Sequence, residues 1–298
     1  MTMWNTATRA AGSPSLTLVP VAEGLFVSPG RHELFTPQNR GHISNITVII
    51  GDESVAVVDT GGSAAIGRGL IEAVKAVTDR PIGYVINTHM HPDHVFGNAP
   101  LTDGKAEFVG HAKLPRALAA RAERYLTANR DSLGPVAFEG TRIIPPTRLV
   151  ADTLQIDLGG RTLRLDARKT AHTDNDLTVW DEKTKTLILG DLLFAGHVPT
   201  LDGSIKGWLA LLDVLEREPA ARAIPGHGPP VMAWPEALAA ERSYLIAVAE
   251  GVRQTIKSGG TLSDAVATVA PANPDGWLLF DDFHARNVSA AFAELEWE

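Results

Sequence analysis

The chain has 298 residues, 44% of them hydrophobic, which is enough apolar material for a large buried core in an enzyme-sized α/β protein. Its formal charge of −8, with both signs mixed throughout, leaves no basic stripe for a phosphate backbone and excludes nucleic acid as an expected partner. It has no cysteine, so disulfides, thiolate metal sites and thiol nucleophiles are excluded, and any metal must be held by histidine and carboxylate.

In chain order, the opening "MTMWNTATRAAGSPS" lacks the apolar core of a secretory signal, and no run reaches the roughly 18 apolar residues of a membrane span. The expectation is a flexible segment over residues 1–15, no membrane partner, and a cytoplasmic location, or a periplasmic one if a leader has been removed. "LTLVPVAEGLFVSPG", "NITVII" and "SVAVVDT" are β-branched runs split by turn residues and predict an antiparallel meander. From Ser63 to Val77 the period changes: Ile66, Leu70, Ile71, Val74 and Val77 share one helical face, with Ser63 as N-cap. "IGYVINT" and "AEFVGH" predict strands, and "AKLPRALAARAERYLTANR" a helix entered or interrupted near Pro115. "TLQIDLGGRTLRLDA" predicts a hairpin around Gly159 and Gly160, and "DLTVWDEKTKTLILGDLL" a second one. A helix, the short strand "RAIPGHG", a long helix "WPEALAAERSYLIAVAEGVRQTIK" and a helical tail capped at Thr261 complete the chain. Residues 16–298 are expected to form one domain of two similar β-rich halves with helices outside.

Residues 88 to 94 read "THMHPDH". His89, His91, Asp93 and His94 thus follow one expected strand, His172 follows a second, Asp191 ends "TLILGD", and His227 sits in "IPGHGP". Each falls in a loop at the same end of its strand, where a scaffold can aim several side chains at one point. One histidine alone reads more readily as a hydrogen-bonded structural residue, but five in ligand spacing reverse that reading. Seven imidazole and carboxylate groups suffice for two four- or five-coordinate cations.

"HMHPDH" followed by His172, by Asp191 in "LGD" and by His227 in "PGHG" resembles the metallo-β-lactamase fold superfamily of hydrolases, on its branch without a zinc-binding cysteine, typified by glyoxalase II. The resemblance spans about residues 20 to 230 and implies an α/β fold, the αββα sandwich, with metals in the cleft between its two sheets. It implies that His89, His91 and His172 bind a first Zn²⁺, that Asp93, His94 and His227 bind a second, and that Asp191 bridges them. More closely, "TPQNRGHISNITVIIGD", "FVGHAKLPRAL", "AHTDNDLTVWDE", "GDLLFAGHVPTLDGSIKGW" and "FHARNVSAAFAELEWE" resemble the quinoprotein relay system zinc metallohydrolases. Two departures stand out: Asp174, Asn175 and Asp176 replace the Pro-Gly-Ser of glyoxalase type, and the C-terminal part offers no basic cluster to grip glutathione.

The remaining polar residues carry paired readings. Asp59, in "VVDTGG", reads equally as a turn former beside two glycines or as a carboxylate fixing a metal-bound imidazole from behind. His32, His42, His111, His197 and His284 fit no ligand position. Arg40, His42 and His197 lie in loops suited to the mouth of the site, as substrate contacts or as plain solvated loop. His284 and Asn287 stand one turn apart on an expected helix, and helix packing explains the pair equally well.

Such a constellation supports hydrolysis. A water shared by two zinc ions loses its proton readily, so hydroxide is available near neutral pH, and Asp93 can orient it. With two divalent ions only partly neutralised by Asp93, Asp191 and hydroxide, the cluster keeps a positive charge and favours a small anionic substrate with an ester, thioester, lactone or amide-type bond. β-Lactam hydrolysis is one alternative. A mononuclear iron dioxygenase of the persulfide type, using His89, His172 and Asp191, is another, and the complete second set argues against it. Iron or manganese are the other occupants the donors accept.

Overall fold

The computed structural model describes residues 14–270, 272–273 and 276–298, so most of the expected flexible start, residues 1–13, lies outside the described residues. Strands β1 (Val19–Ala22), β2 (Leu25–Ser28), β3 (Ile46–Ile50) and β4 (Val55–Val58) pair antiparallel in sequence order, the meander that the β-branched runs predict. Helix α1 (Ala64–Val77) follows, with the Ser63 side chain accepting the Ile66 N–H as its cap. Its Ile66, Leu70 and Val74 pack on the outer face of the sheet, and the chain returns as β5 (Ile82–Asn87), parallel to β4. A single turn, α2 (Pro92–Val95), and a 3₁₀ segment over Phe96–Asp103 lead to β6 (Glu107–His111), parallel to β5.

Helix α3 (Leu114–Phe138) has Pro115 in its first turn, as expected, but runs past the predicted end near Arg130. It is two helical pieces joined at Gly134, whose φ of +73° breaks the spiral just before Pro135, a residue that disfavours helical geometry in its predecessor. A short strand that no periodicity announces, β7 (Arg148–Val150), closes the first sheet beside β6.

The second sheet repeats the scheme. Strands β8 (Thr153–Asp157), β9 (Thr162–Ala167), β10 (Leu177–Asp181) and β11 (Thr186–Phe194) form the two expected hairpins as one antiparallel run. After α4 (Ile205–Leu215), β12 (Arg222–His227) lies parallel to β11, and β13 (Met232–Ala233) makes the edge. The long helix expected from Trp234 starts later, as α5 (Ala239–Lys257), because Trp234 and Pro235 follow β13 outside any helix and a 3₁₀ turn takes up Glu236–Leu238. The tail is two helices: α6 (Leu262–Thr268), closed by a reciprocal Thr261 and Asp264 capping box, and α7 (Phe280–Leu295).

Three apolar layers follow from these patterns. Leu25, Val27, Ile49, Val58 and Ile86 of the first sheet meet Leu163, Leu165, Val179, Ile188 and Ile224 of the second. The outer face of the first sheet is covered by α1, and that of the second by α4, α5 and α7. The result is an αββα sandwich. A buried charged group links the sheets at their hairpin end: the Arg161 guanidinium, in the turn between β8 and β9, donates to both Asp181 carboxylate oxygens, at 3.0 and 2.6 Å, and also to the carbonyls of Glu23 and Ile50 at 3.0 and 2.9 Å.

Candidate metal centre

At one end of the sandwich the strand ends bring seven side chains together. His89 and His91 follow β5, Asp93 and His94 lie in α2, His172 follows β9, and His227 ends β12. Asp191 differs from expectation. It lies inside β11 rather than in a loop, at a register irregularity beginning at Gly190, whose φ is +52°. That irregularity lets an in-strand carboxylate reach the others. Gly226 is needed beside it, because a Cβ there would stand 2.0 Å from Asp191 Oδ1.

The groups divide into two candidate metal-binding clusters: His89, His91, His172 and Asp191, and Asp93, His94 and His227. In the first, His89 Nε2, His91 Nδ1 and His172 Nε2 stand 3.0–3.3 Å from one another. Tetrahedral bonds of about 2.1 Å to one ion separate ligand atoms by roughly 3.4 Å, so the triangle fits a single cation. In the second, Asp93 Oδ2 lies 3.3 Å from His94 Nε2 and 3.2 Å from His227 Nε2. Asp191 sits between them, with Oδ2 3.5–3.6 Å from His89, His172 and His227 and Oδ1 3.1 Å from His94 Nε2. His94 Nε2 and Asp191 Oδ1 are buried and have no hydrogen-bond partner, which is what donor atoms awaiting a cation look like.

Each of the five imidazoles is also held from behind. His94 Nδ1 lies 2.7 Å from Asp59 Oδ2, His172 Nδ1 2.6 Å from the Thr200 carbonyl, and His227 Nδ1 2.9 Å from the Ile43 carbonyl. His91 Nε2 lies 3.1 Å from Asp202 Oδ2. His89 Nδ1 is 3.0 Å from Thr88 Oγ1, whose own hydroxyl donates to Asp59 Oδ2 at 2.8 Å. An imidazole with an oxygen acceptor on one nitrogen carries its proton there and turns a lone pair inward on the other. Asp59 therefore takes the carboxylate reading, and it serves two rings. Its φ of +61° is a conformation that Asp tolerates better than most residues.

The charge balance agrees. Burial opposes charge on His94, but Asp191, Asp93 and Asp59 outweigh it and hold its pKa well above the ordinary imidazole range. Burial likewise opposes ionisation of Asp191, yet His94, His227 and His89 hold its carboxyl well below the usual range. His172, by contrast, is pushed by burial down to about 3. The carboxylates stay ionised and the centre calls for positive charge.

A cleft of about 300 Å³ opens over these groups and reaches Asp93, Asp191 and His227. Of the three expected mouth residues, only His197 lines it. Arg40 and His42 lie elsewhere: Asn39 Oδ1 accepts from the Thr36 and Gly41 N–H groups, and this tight turn points the Arg40 carbonyl at Ser63 while His42 Nε2 sits 3.3 Å from Ser28 Oγ. The walls instead carry Arg121, Arg124 and Tyr125 of α3 and Phe283, Arg286 and Asn287 of α7. Asp202 and Thr200 had no signal in the sequence. His111 stands outside both clusters and accepts the Lys113 N–H at 3.0 Å.

The family model of the metallo-beta-lactamase superfamily matches residues 39–227, the span that carries all seven groups. A linear primary-alkylsulfatase of Pseudomonas sp. (strain ATCC 19151) is 24% identical over 222 residues, 62% of this chain and 41% of that protein. A beta-lactamase-like protein 2 homolog of Caenorhabditis elegans is 28% identical over 159 residues, 53% of this chain and 46% of that one. The chain thus spans less than half the length of these curated relatives. Among solved structures, the stereoselective inverting sec-alkylsulfatase Pisa1 from Pseudomonas sp. shares the fold with a TM-score of 0.70 at 17% identity, over 94% of this chain and 50% of that one. With a family model matched over well over half its length and both ligand clusters inside the match, the chain belongs to the metallo-beta-lactamase superfamily.

Proposed function

We propose that residues 16–298 form one hydrolase domain that cleaves an ester-type bond in a small anionic substrate at a dinuclear zinc centre. His89, His91 and His172 would hold one ion and Asp93, His94 and His227 the other, with the Asp191 carboxylate between the two sets. The observation that carries the reading is that all five imidazoles have their outer nitrogen on an oxygen, leaving five lone pairs aimed inward at two carboxylates. Bound there, divalent ions lower the pKa of water and polarise the electrophile. Zinc is favoured because nitrogen-rich clusters of tetrahedral spacing suit it, and a complete second cluster has no use in a mononuclear iron oxygenase.

The chain's own groups supply the rest. Asp93 lines the cleft, where its carboxylate orients the attacking water. Arg121, Arg124 and Arg286 offer the anionic part of the substrate a positive wall in an otherwise acidic protein. Leu34, Leu201 and Phe283 add apolar surface beside them. That pairing favours a second, narrower reading, a sulfate ester with an apolar chain, which the likeness to alkylsulfatases also supports. β-Lactam turnover is then a side activity. A place near glyoxalase II or the quinoprotein relay hydrolases rests on the motifs quoted above.

The test is metal content of protein purified without chelator, then kcat/KM for a carboxylate-bearing ester, an alkyl sulfate, a glutathione thioester and a penicillin. Two equivalents of zinc and turnover of the first or second are expected. Asp191→Ala should lose metal and activity, and His111→Ala should lose neither. One equivalent of iron, with oxygen consumed in the presence of a persulfide, would overturn the reading.

A further inference from the structure

The pair His284 and Asn287 is not used by the hydrolytic reading, and α7 lies beyond the span matched by the family model. Both residues are buried, and Asn287 is fully engaged. Its Nδ2 donates to the Pro199 carbonyl at 2.5 Å and to Tyr244 Oη at 2.8 Å, while its Oδ1 accepts the Leu201 N–H at 2.9 Å. The amide has one orientation that satisfies all three, because rotation by half a turn would set carbonyl against carbonyl and N–H against N–H. The orientation is locked from the far side: Tyr244 Oη accepts from Asn287 and donates to His284 Nδ1 at 2.9 Å, and His284 Nε2 donates to the Val269 carbonyl at 2.9 Å.

Pro199 and Leu201 flank Thr200. The Thr200 carbonyl is the acceptor for His172 Nδ1 at 2.6 Å, and two residues on, Asp202 faces His91 Nε2 at 3.1 Å. One side-chain amide thus pins the segment on both sides of the oxygen that fixes His172, and the same segment holds His91. Among the described residues no comparable link runs to His94 or His227, whose outer acceptors are Asp59 and the Ile43 carbonyl.

We propose that Asn287 is a positioning residue for the first metal cluster: by holding Pro199 and Leu201 it sets the Thr200 carbonyl behind His172 and Asp202 behind His91. The inference rests on the dinuclear metal reading and concerns the cluster of His89, His91 and His172 alone. Groups that orient a metal-binding imidazole from behind contribute about 10- to 100-fold in metal affinity.

The experiment titrates the apo chain with zinc against a chromophoric chelator and, separately, with cobalt(II), following its visible absorption. His172→Ala marks which binding step belongs to the first cluster. Asn287→Ala is expected to weaken that step by about 10- to 100-fold and change its cobalt spectrum, leaving the other step unmoved. Val288→Ala, which truncates a fully buried neighbour on α7, should lower the melting temperature without moving either step. If Asn287→Ala does not fold, Asn287→Asp keeps the acceptor for Leu201, loses both donors, and should show the same selective weakening. Equal weakening of both steps, or none, in a folded Asn287 variant overturns the proposal. Failure of the unsubstituted chain to bind zinc or cobalt would instead overturn the metal reading beneath it.

Discussion

Asp59 Oδ2 stands 2.7 Å from His94 Nδ1, and the same carboxylate takes the Thr88 N–H and hydroxyl at 2.8 Å each. Three donors therefore converge on a buried anion, and through Thr88 it also reaches His89. Asp59→Asn brings an amide N–H group against one of those donors, so no rotamer satisfies all three. Both clusters lose an oriented ligand. The expected outcome is a loss of about 10- to 100-fold in zinc affinity, read by chelator competition, with both binding steps affected. A shift confined to one step would show that the Thr88 link carries nothing.

The arginines of the cleft wall make a second prediction. Arg124 and Arg286 are exposed, on α3 and α7, and solvent screens what each can contribute. Replacing both by Gln should raise KM for an anionic ester by roughly three- to tenfold and leave an uncharged ester of the same shape unchanged. Paired steady-state assays at low and high salt check this, since the difference between the esters should shrink as salt rises.

Arg161 carries the third. Removing a buried cation that serves Asp181 and two backbone carbonyls takes the counter-charge from a buried carboxylate, which keeps the Thr184 hydroxyl, and a donor from each carbonyl. Arg161→Ala is expected to cost about 3–5 kcal/mol by urea denaturation, whereas Arg161→Met with Asp181→Leu should recover much of the loss. A double variant as unstable as the single one would place the cost in lost packing.

A fourth concerns pH. Glu241 of α5 is fully buried, accepts the Phe194 N–H at 3.0 Å through Oε1, and has no partner for Oε2. Burial holds its pKa well above the ordinary carboxyl value, against the Phe194 hydrogen bond. A group whose folded pKa is raised gives its full stabilisation below its unfolded value, near 4.5, and loses it as pH rises through the folded one. Glu241→Gln keeps the acceptor and cannot ionise. The stability difference between variant and parent should therefore move in favour of the variant as pH rises above the unfolded value, near 4.5. Parallel pH profiles would sink the assignment.

How much of this was legible in the sequence depended on range. "THMHPDH" was readable because four of the seven ligands lie within six positions, and His172, Asp191 and His227 because each follows or ends a strong strand signal. That Asp191 lies inside β11 was not readable, since a register irregularity leaves no periodic trace. Arg124 and Arg286 look like any solvated helix arginine until the fold sets α3 and α7 on opposite walls of one cleft. Arg40 and His42, expected at the mouth from sequence order, are not among the residues lining the cleft, and the Asn39 hydrogen bonds that shape their turn are local in geometry but silent in composition. Asp202 and Asn287 make their contacts across long separations, and the one-turn spacing of His284 and Asn287 does not reveal them.

Each cluster draws on both halves of the sandwich: His89 and His91 from the first sheet's side with His172 and Asp191 from the second, and Asp93 and His94 with His227. An ion held in either one is therefore a further cross-link between halves already joined by apolar contact, by Arg161 and by hydrogen bonds such as those from the Asn45 N–H to the Gly226 carbonyl and from the Leu177 N–H to the Thr88 carbonyl. Parting the halves releases the ions, so their binding free energy adds to the cohesion of the sandwich, by about 2.7 kcal/mol for each ion present at a hundredfold excess over its dissociation constant. The chain's resistance to unfolding then tracks the free metal concentration around it, and scarcity of metal is felt as fragility as well as idleness.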